Sequence, residues 1–185
     1  MKSQYIVDLN KAEHEYCSTQ VNIIGSLAKA ITNWAKEFIP KDDIYVDEKE
    51  GIEGYEEEPH CTVLYGIVNV GDQDKVRDLL KSKGLNKLAG TLGLVDKFES
   101  TDYDVVIIKV DSKGLENAHK LISQNVENED THKDYHPHVT LAYVQKGKAN
   151  EFVGKSVFKG KEFSGDVLFS NQSRKKTVLK SKENK

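Results

Sequence analysis

Pro59-His60-Cys61-Thr62-Val63-Leu64-Tyr65 returns later in the chain as Pro137-His138-Val139-Thr140-Leu141-Ala142-Tyr143. Both copies read Pro-His-x-Thr, two apolar residues, then Tyr. The whole sequence holds six His, three Pro and eight Tyr, so a repeat that matches at Pro, His and Tyr together is set apart from chance. Side chains alternate between the faces of a strand, so His and Thr at i and i+2 project from one face. Two such strands side by side aim two imidazoles and two hydroxyls into one cleft. By the same alternation Tyr65 and Tyr143 fall on the opposite face and are expected to pack behind the sheet.

The surrounding sequence supports one α+β unit spanning 1–185. At 185 residues and 37% hydrophobic content the chain can bury one core and is short for two. Its net charge of -3 is mild and gives no general affinity for nucleic acid. Cys17 and Cys61 are the only cysteines, and Cys61 sits inside a motif, which favours a reducing compartment over a disulfide framework. Met1 to Tyr5 lacks the apolar run of a signal peptide. No stretch approaches the roughly 20 apolar residues needed to cross a bilayer. The expectation is a cytoplasmic protein with no obligate protein partner.

Along the chain, Tyr16 to Ile24 alternates. Cys17, Thr19, Val21 and Ile23 form the core side, and Tyr16, Ser18, Gln20 and Asn22 the outward side. Leu27, Ile31, Trp34, Ala35 and Phe38 recur at helical spacing up to Pro40. Residues 47–58 read as a solvated acidic loop before the first motif. Asp72 to Gly84 reads as a helix capped by Asp72 and stopped by Gly84. Leu88 to Phe98 and Tyr103 to Val110 read as strands. Leu115, Ala118, Leu121, Ile122 and Val126 trace a third helix. A second acidic loop, 127–134, precedes the second motif. Two or three strands follow over 156–179, then a basic tail from about 174 to 185. A helix and an acidic loop thus precede each motif strand, which suggests two related lobes.

Paired His and Thr suit displacement at phosphorus. One neutral imidazole takes a proton from the nucleophile, and a second, protonated one gives a proton to the leaving group. Thr hydroxyls donate to non-bridging phosphate oxygens. With so little positive charge, the substrate must bring its own reactive group, such as a ribose 2'-hydroxyl or a 2',3'-cyclic phosphate.

The duplicated His-x-Thr-apolar pattern resembles the two-histidine (2H) phosphoesterase superfamily over roughly Tyr16 to Leu179. The leading strand and the Tyr65-Gly66 step look most like phage-type members. The resemblance implies a two-lobed, pseudo-symmetric α+β fold, with antiparallel sheets lining a central cleft and helices outside. It also implies that His60 and His138 are catalytic, that Thr62 and Thr140 bind phosphate, and that no cofactor is needed. The implied substrates are a small nucleotide or an RNA end: a 2',3'-cyclic phosphate, a 2'-5' or 3'-5' linkage, or a cyclic oligonucleotide signal cut in the host cytoplasm. A 2'-5' RNA ligase-like enzyme is the alternative within the class. A module that captures a nucleotide without cutting it is the alternative outside it, and the two intact His argue against it.

Tyr16, Ser18 and Gln20 either line the cleft, with Tyr16 stacking on a base, or form a solvated sheet face. Arg174 and Lys175 start the basic tail close enough to a strand to reach phosphate; a solubilising terminus is the alternative. His132, His136 and His138 with Asp134 lack the spacing of a zinc site, so no metal is expected. His14 and His119 are expected at the surface.

Overall fold

The computed structural model describes residues 16–48, 51–130, 134–171 and 176–179. Among the described residues, seven strands and three α-helices follow one another in the order β1 Cys17–Asn22, α1 Gly25–Phe38, β2 His60–Ile67, α2 Gln73–Ser82, β3 Lys87–Glu99, β4 Tyr103–Asp111, α3 Lys113–Ser123, β5 His138–Gln145, β6 Glu162–Ser170 and β7 Lys176–Val178. The fold class is α+β, and every strand pairing is antiparallel. The sheet order is β1-β2-β5-β4-β3-β6-β7, and β1 also pairs with β6. The circuit of six strands therefore closes on itself, with β7 added beside β6. Closure leaves few free edges to manage.

The helices bury the apolar stripes that their spacing marks. α1 buries Ile31, Trp34 and Ala35, and Phe38 lies half exposed, stacked on Trp34. α2 buries Val76 and Leu80, and α3 buries Leu115, Ala118 and Ile122. Gly84 stops α2 with a φ of 66°, a conformation that only glycine adopts without strain. Asp72 does not cap α2 through its side chain. A 3-10 turn, Val70–Asp72, runs into the helix there, and Asn69 caps that turn by accepting from the Gly71 N–H. Ser112 caps α3, accepting from the Leu115 N–H at 3.1 Å.

The two acidic loops are more than solvated connections. Glu56 N–H donates to the Leu141 carbonyl at 3.0 Å and Tyr143 N–H to the Gly54 carbonyl at 2.8 Å. The first loop thus covers the edge of β5. Glu129 N–H donates to the Gly66 carbonyl at 2.8 Å, so the second loop covers the edge of β2. Gly66 has a φ of 85°, and a Cβ there would sit 2.9 Å from the Glu129 carbonyl carbon. A side chain at 66 would push that loop away. These contacts place backbone donors on carbonyls that the sheet leaves unpaired, which a buried edge requires.

Candidate active site

Strands β1, β2, β5 and β4 lie side by side. One row of opposed residues crosses them: Val21, Cys61, Val139 and Ile108. All four are 0% exposed and face the core. Their chain neighbours therefore face the other way. On that side Asn22 opposes His60, Gln20 opposes Thr62, Lys109 opposes His138 and Ile107 opposes Thr140. The antiparallel pair Cys61–Val139 sets His60 across from Thr140, and Thr62 across from His138. Both motifs thus present His and Thr, each half-buried, to one shared face.

The two imidazoles are anchored alike. His60 Nδ1–H donates to the Glu58 carbonyl and His138 Nδ1–H to the His136 carbonyl, both at 2.8 Å. Each acceptor is the residue before the motif proline, a position that proline restricts to extended backbone. Each proline carbonyl in turn accepts from a neighbouring strand: Pro59 from Ile23 N–H at 2.8 Å, Pro137 from Val110 N–H at 2.9 Å. With Nδ1–H committed to a carbonyl, Nε2 is the ring nitrogen that can exchange a proton with a substrate.

The surroundings of the two rings differ. Glu56 Oε2 lies 4.0 Å from His60 Nδ1. The Phe98 ring meets His138 edge-on, with centroids 4.7 Å apart at 89°. Gln20 Nε2 donates to Asn22 Oδ1 at 2.6 Å, fixing the Asn22 amide beside His60. Lys109, opposite His138, pairs with Asp96. The Lys109 ammonium, outweighing partial burial, holds the Asp96 carboxyl below its ordinary range. Alternation places Asn22 on the outward face of its strand, but the sequence does not show that this face meets the motif. Lys109 carries its own signal, as the one cation in the apolar run Val105–Val110.

Each motif strand carries a β-bulge just past its Thr. Thr19 pairs with Leu64 and Gln20 with Thr62, so Val63 is the added residue. Val106 pairs with Ala142 and Ile107 with Thr140, so Leu141 is its counterpart. An added residue reverses the alternation beyond it. This corrects the expectation that Tyr65 and Tyr143 pack behind the sheet. Tyr65 is 44% exposed and meets Tyr16 edge-to-face at 6.1 Å. Tyr143 opposes Val105, is half-buried, and lies edge-on to Tyr103 at 5.7 Å.

His119 is likewise not a plain surface residue. Its side chain is 16% exposed, and Nδ1–H donates to the carbonyl of the bulge residue Val63 at 2.8 Å. Its Nε2 lies 3.7 Å from Asp130 Oδ2, and its ring stacks on Tyr135 at 4.2 Å. Tyr135 O–H donates to the Thr62 carbonyl at 2.7 Å. Two consecutive carbonyls of the first motif strand are therefore held from behind. Burial pushes the Tyr135 hydroxyl well above its ordinary range, with the adjacent Cys61 sulfur adding to the rise. Burial also pushes the Cys61 thiol up to about 12, against hydrogen bonds from the His138 backbone and Tyr135.

Gln20 joins the shared face directly. Ser18 and Tyr16 lie on the same side of β1, about 7 and 13 Å farther along at the usual strand rise. Arg174, Lys175, His14 and His132 lie outside the described residues. Lys176, the next tail residue, pairs with Glu58, whose carbonyl anchors His60. Among the described residues no three His, Cys, Asp or Glu side chains gather as a metal site, and no helix is long and apolar enough to cross a membrane.

The family model of the anti-CBASS protein Acb1 matches residues 20–174. Among curated proteins, none matches the chain in sequence. Usb1 of Kluyveromyces marxianus is similar in structure, with a TM-score of 0.62 at 8% identity, covering 90% of this chain and 98% of that one. LigT of E. coli complexed with 3'-AMP is similar with a TM-score of 0.57 at 16% identity, covering 91% and 96%. A structure described as a phosphoesterase gives a TM-score of 0.52 at 16% identity, covering 90% and 96%. At these identities the structural likeness speaks for the fold.

Proposed function

Because this chain belongs to the anti-CBASS protein Acb1 family, within the 2H phosphoesterase superfamily, we propose that it is a metal-independent phosphodiesterase that cuts cyclic oligonucleotide signals in a host cytoplasm. The observation that carries this reading is the row through Cys61 and Val139, which puts two identically anchored His and two Thr on one face.

One imidazole, neutral at Nε2, accepts the proton of the attacking hydroxyl. The other, protonated at Nε2, delivers a proton to the departing ribose oxygen. Thr62 and Thr140 donate their hydroxyls to the non-bridging oxygens, where charge develops. Asn22, its Oδ1 held by Gln20, offers its NH2 group beside His60. Lys109, ion-paired with Asp96, stands at the corresponding place beside His138. The matching registers, bulges and Nδ1 anchors support a pseudo-twofold relation about the Cys61–Val139 pair, with the four groups facing a central cleft. The whole described chain then serves as one catalytic unit.

A second reading is an RNA-end enzyme. It is favoured by the fold likeness to LigT complexed with 3'-AMP and to Usb1 with uridine monophosphate. A turnover screen with EDTA present, across cyclic di- and trinucleotides, 2',3'-cyclic nucleotides and short RNAs, separates the two. Conversion of cyclic oligonucleotides to linear products supports the proposal. Turnover of RNA ends alone supports the second reading, and turnover of none leaves a capture module.

A further inference from the structure

The tyrosine that closes each copy of the repeat is not used by the chemistry above, and the bulges change its place. With Val63 and Leu141 added into their strands, Tyr65 and Tyr143 turn from the core side to the face that carries His and Thr. Two contacts fix this. Tyr65 meets Tyr16, which shares a face with Gln20 and Asn22 by the alternation of β1. Tyr143 opposes Val105, which in turn opposes Phe98, and Phe98 touches His138. Each tyrosine is joined by a second ring: Tyr65 by Tyr16, Tyr143 by Tyr103.

β2 and β5 run antiparallel through Cys61 and Val139. Three residues past Thr62 therefore leads away from the motif centre in one direction, and three residues past Thr140 leads away in the other. Because each bulge adds a residue without advancing the ladder, Tyr65 lies two strand steps beyond Thr62 and Tyr143 two beyond Thr140, about 7 Å each at the usual rise. The rings stand on opposite sides of the His-Thr group, at a reach comparable with that from a phosphodiester to the bases it joins.

We infer that Tyr65 with Tyr16, and Tyr143 with Tyr103, are two base-stacking platforms that seat the nucleobases on either side of the scissile phosphate. This rests on the proposed phosphodiesterase reading and narrows it. The preferred substrate is a unit with two bases flanking the reacting phosphodiester, as in a cyclic or linear oligonucleotide. A mononucleoside 2',3'-cyclic phosphate fills one platform and leaves the other vacant. Base–aromatic stacking is tolerant of base identity because every base has a π-face, so the platforms select for the number of bases more than for their kind.

The test is binding, kept apart from turnover. A 2'-O-methylated diadenosine dinucleotide has no internal nucleophile, and its Kd is measured by calorimetry for the full chain. Tyr65→Leu and Tyr143→Leu each raise that Kd by roughly ten- to a hundredfold, and Tyr65→Phe and Tyr143→Phe restore it. A dinucleotide lacking one base binds wild-type protein as weakly as the intact dinucleotide binds a Leu variant. Removing both ring and base costs little more than removing either. Wild-type affinity in the Leu variants, or losses from ring and base that simply add, overturn the platforms. So does failure of wild-type protein to bind the dinucleotide. A chain that binds through both tyrosines yet cleaves no phosphodiester keeps the platforms and removes the phosphodiesterase reading, so the two failures are distinct.

Discussion

Cys61 and Val139 oppose one another across β2 and β5, and both are fully buried. Each is the central residue of a His-x-Thr triplet, so one buried pair sets four polar side chains on the reverse face. The pairing register makes this a geometric consequence, because opposed residues share a face and their neighbours take the other. The chemistry of the site therefore depends on an apolar contact beneath it.

The threonine hydroxyls are expected to act as donors to phosphate. Thr62→Val and Thr140→Val keep the β-branch and the volume but lose the O–H. Each variant folds with a thermal midpoint within a few degrees of wild type and loses roughly 100- to 1,000-fold in kcat, the range for removing one donor to a developing charge. Wild-type rates in both would reduce the threonines to strand formers.

The bond from Tyr135 to the Thr62 carbonyl braces the first motif from the loop that leads into the second. Tyr135→Phe keeps the ring stacked on His119 but removes the stronger donor to that carbonyl, leaving it the weak Cys61 S–H contact at 3.9 Å. Losing a hydrogen bond of this kind costs about 0.5–1.5 kcal/mol. Urea unfolding should show a loss of that size, and kcat should fall with KM little changed, since the brace positions Thr62 without touching substrate. Unchanged stability and kcat would show that the hydroxyl is idle.

Cys61 gives a pH prediction with a definite sign. Its thiol is raised from 9.0 to about 12 in the folded protein. Below pH 9 both states hold the proton, and the stabilisation is fully present. As pH rises from about 9 toward 12 the unfolded chain releases the proton and the folded one keeps it, so stability falls by up to a few kcal/mol. Chemical denaturation across pH 8 to 11 measures this slope. A thiol reagent at pH 8 should leave folded Cys61 unmodified, and rapid labelling without unfolding would contradict its burial.

Catalysis by one neutral and one protonated imidazole requires a bell-shaped dependence of kcat/KM on pH, with apparent values that belong to the pair. Removing either His abolishes one limb of the bell in the residual activity. A flat profile from about pH 5 to 9 would count against proton transfer by imidazole.

Much of the scaffold is legible in the sequence because its signals are local. The alternation of Cys17, Thr19, Val21 and Ile23, the helical spacing of Ile31, Trp34 and Ala35, and the stop at Gly84 each depend on neighbours in the chain. The shared face of the two motifs is legible because it was written twice. What escaped depends on pairing. The bulges at Val63 and Leu141 exist only against β1 and β4, so strict alternation misplaced Tyr65 and Tyr143. Asn22 gains its position from lying opposite His60, and His119 from reaching the Val63 carbonyl across 56 residues of chain. The capping role given to Asp72 failed because an uninterrupted 3-10 turn leaves no free N-terminus there for its side chain to cap.

His60 and His138 are expected to act as one acid–base pair. The most direct measurement is kcat/KM on a cyclic oligonucleotide, with EDTA present, for His60→Ala, His138→Ala and the double variant. Removing a general acid or base costs about 10²- to 10⁴-fold, and groups that work as a unit are strongly non-additive. Each single variant is expected to lose activity in that range or beyond, and the double variant to be scarcely worse than either. Two modest losses that multiply in the double variant, or wild-type activity that vanishes in EDTA and returns with a divalent ion, would contradict the acid–base pair.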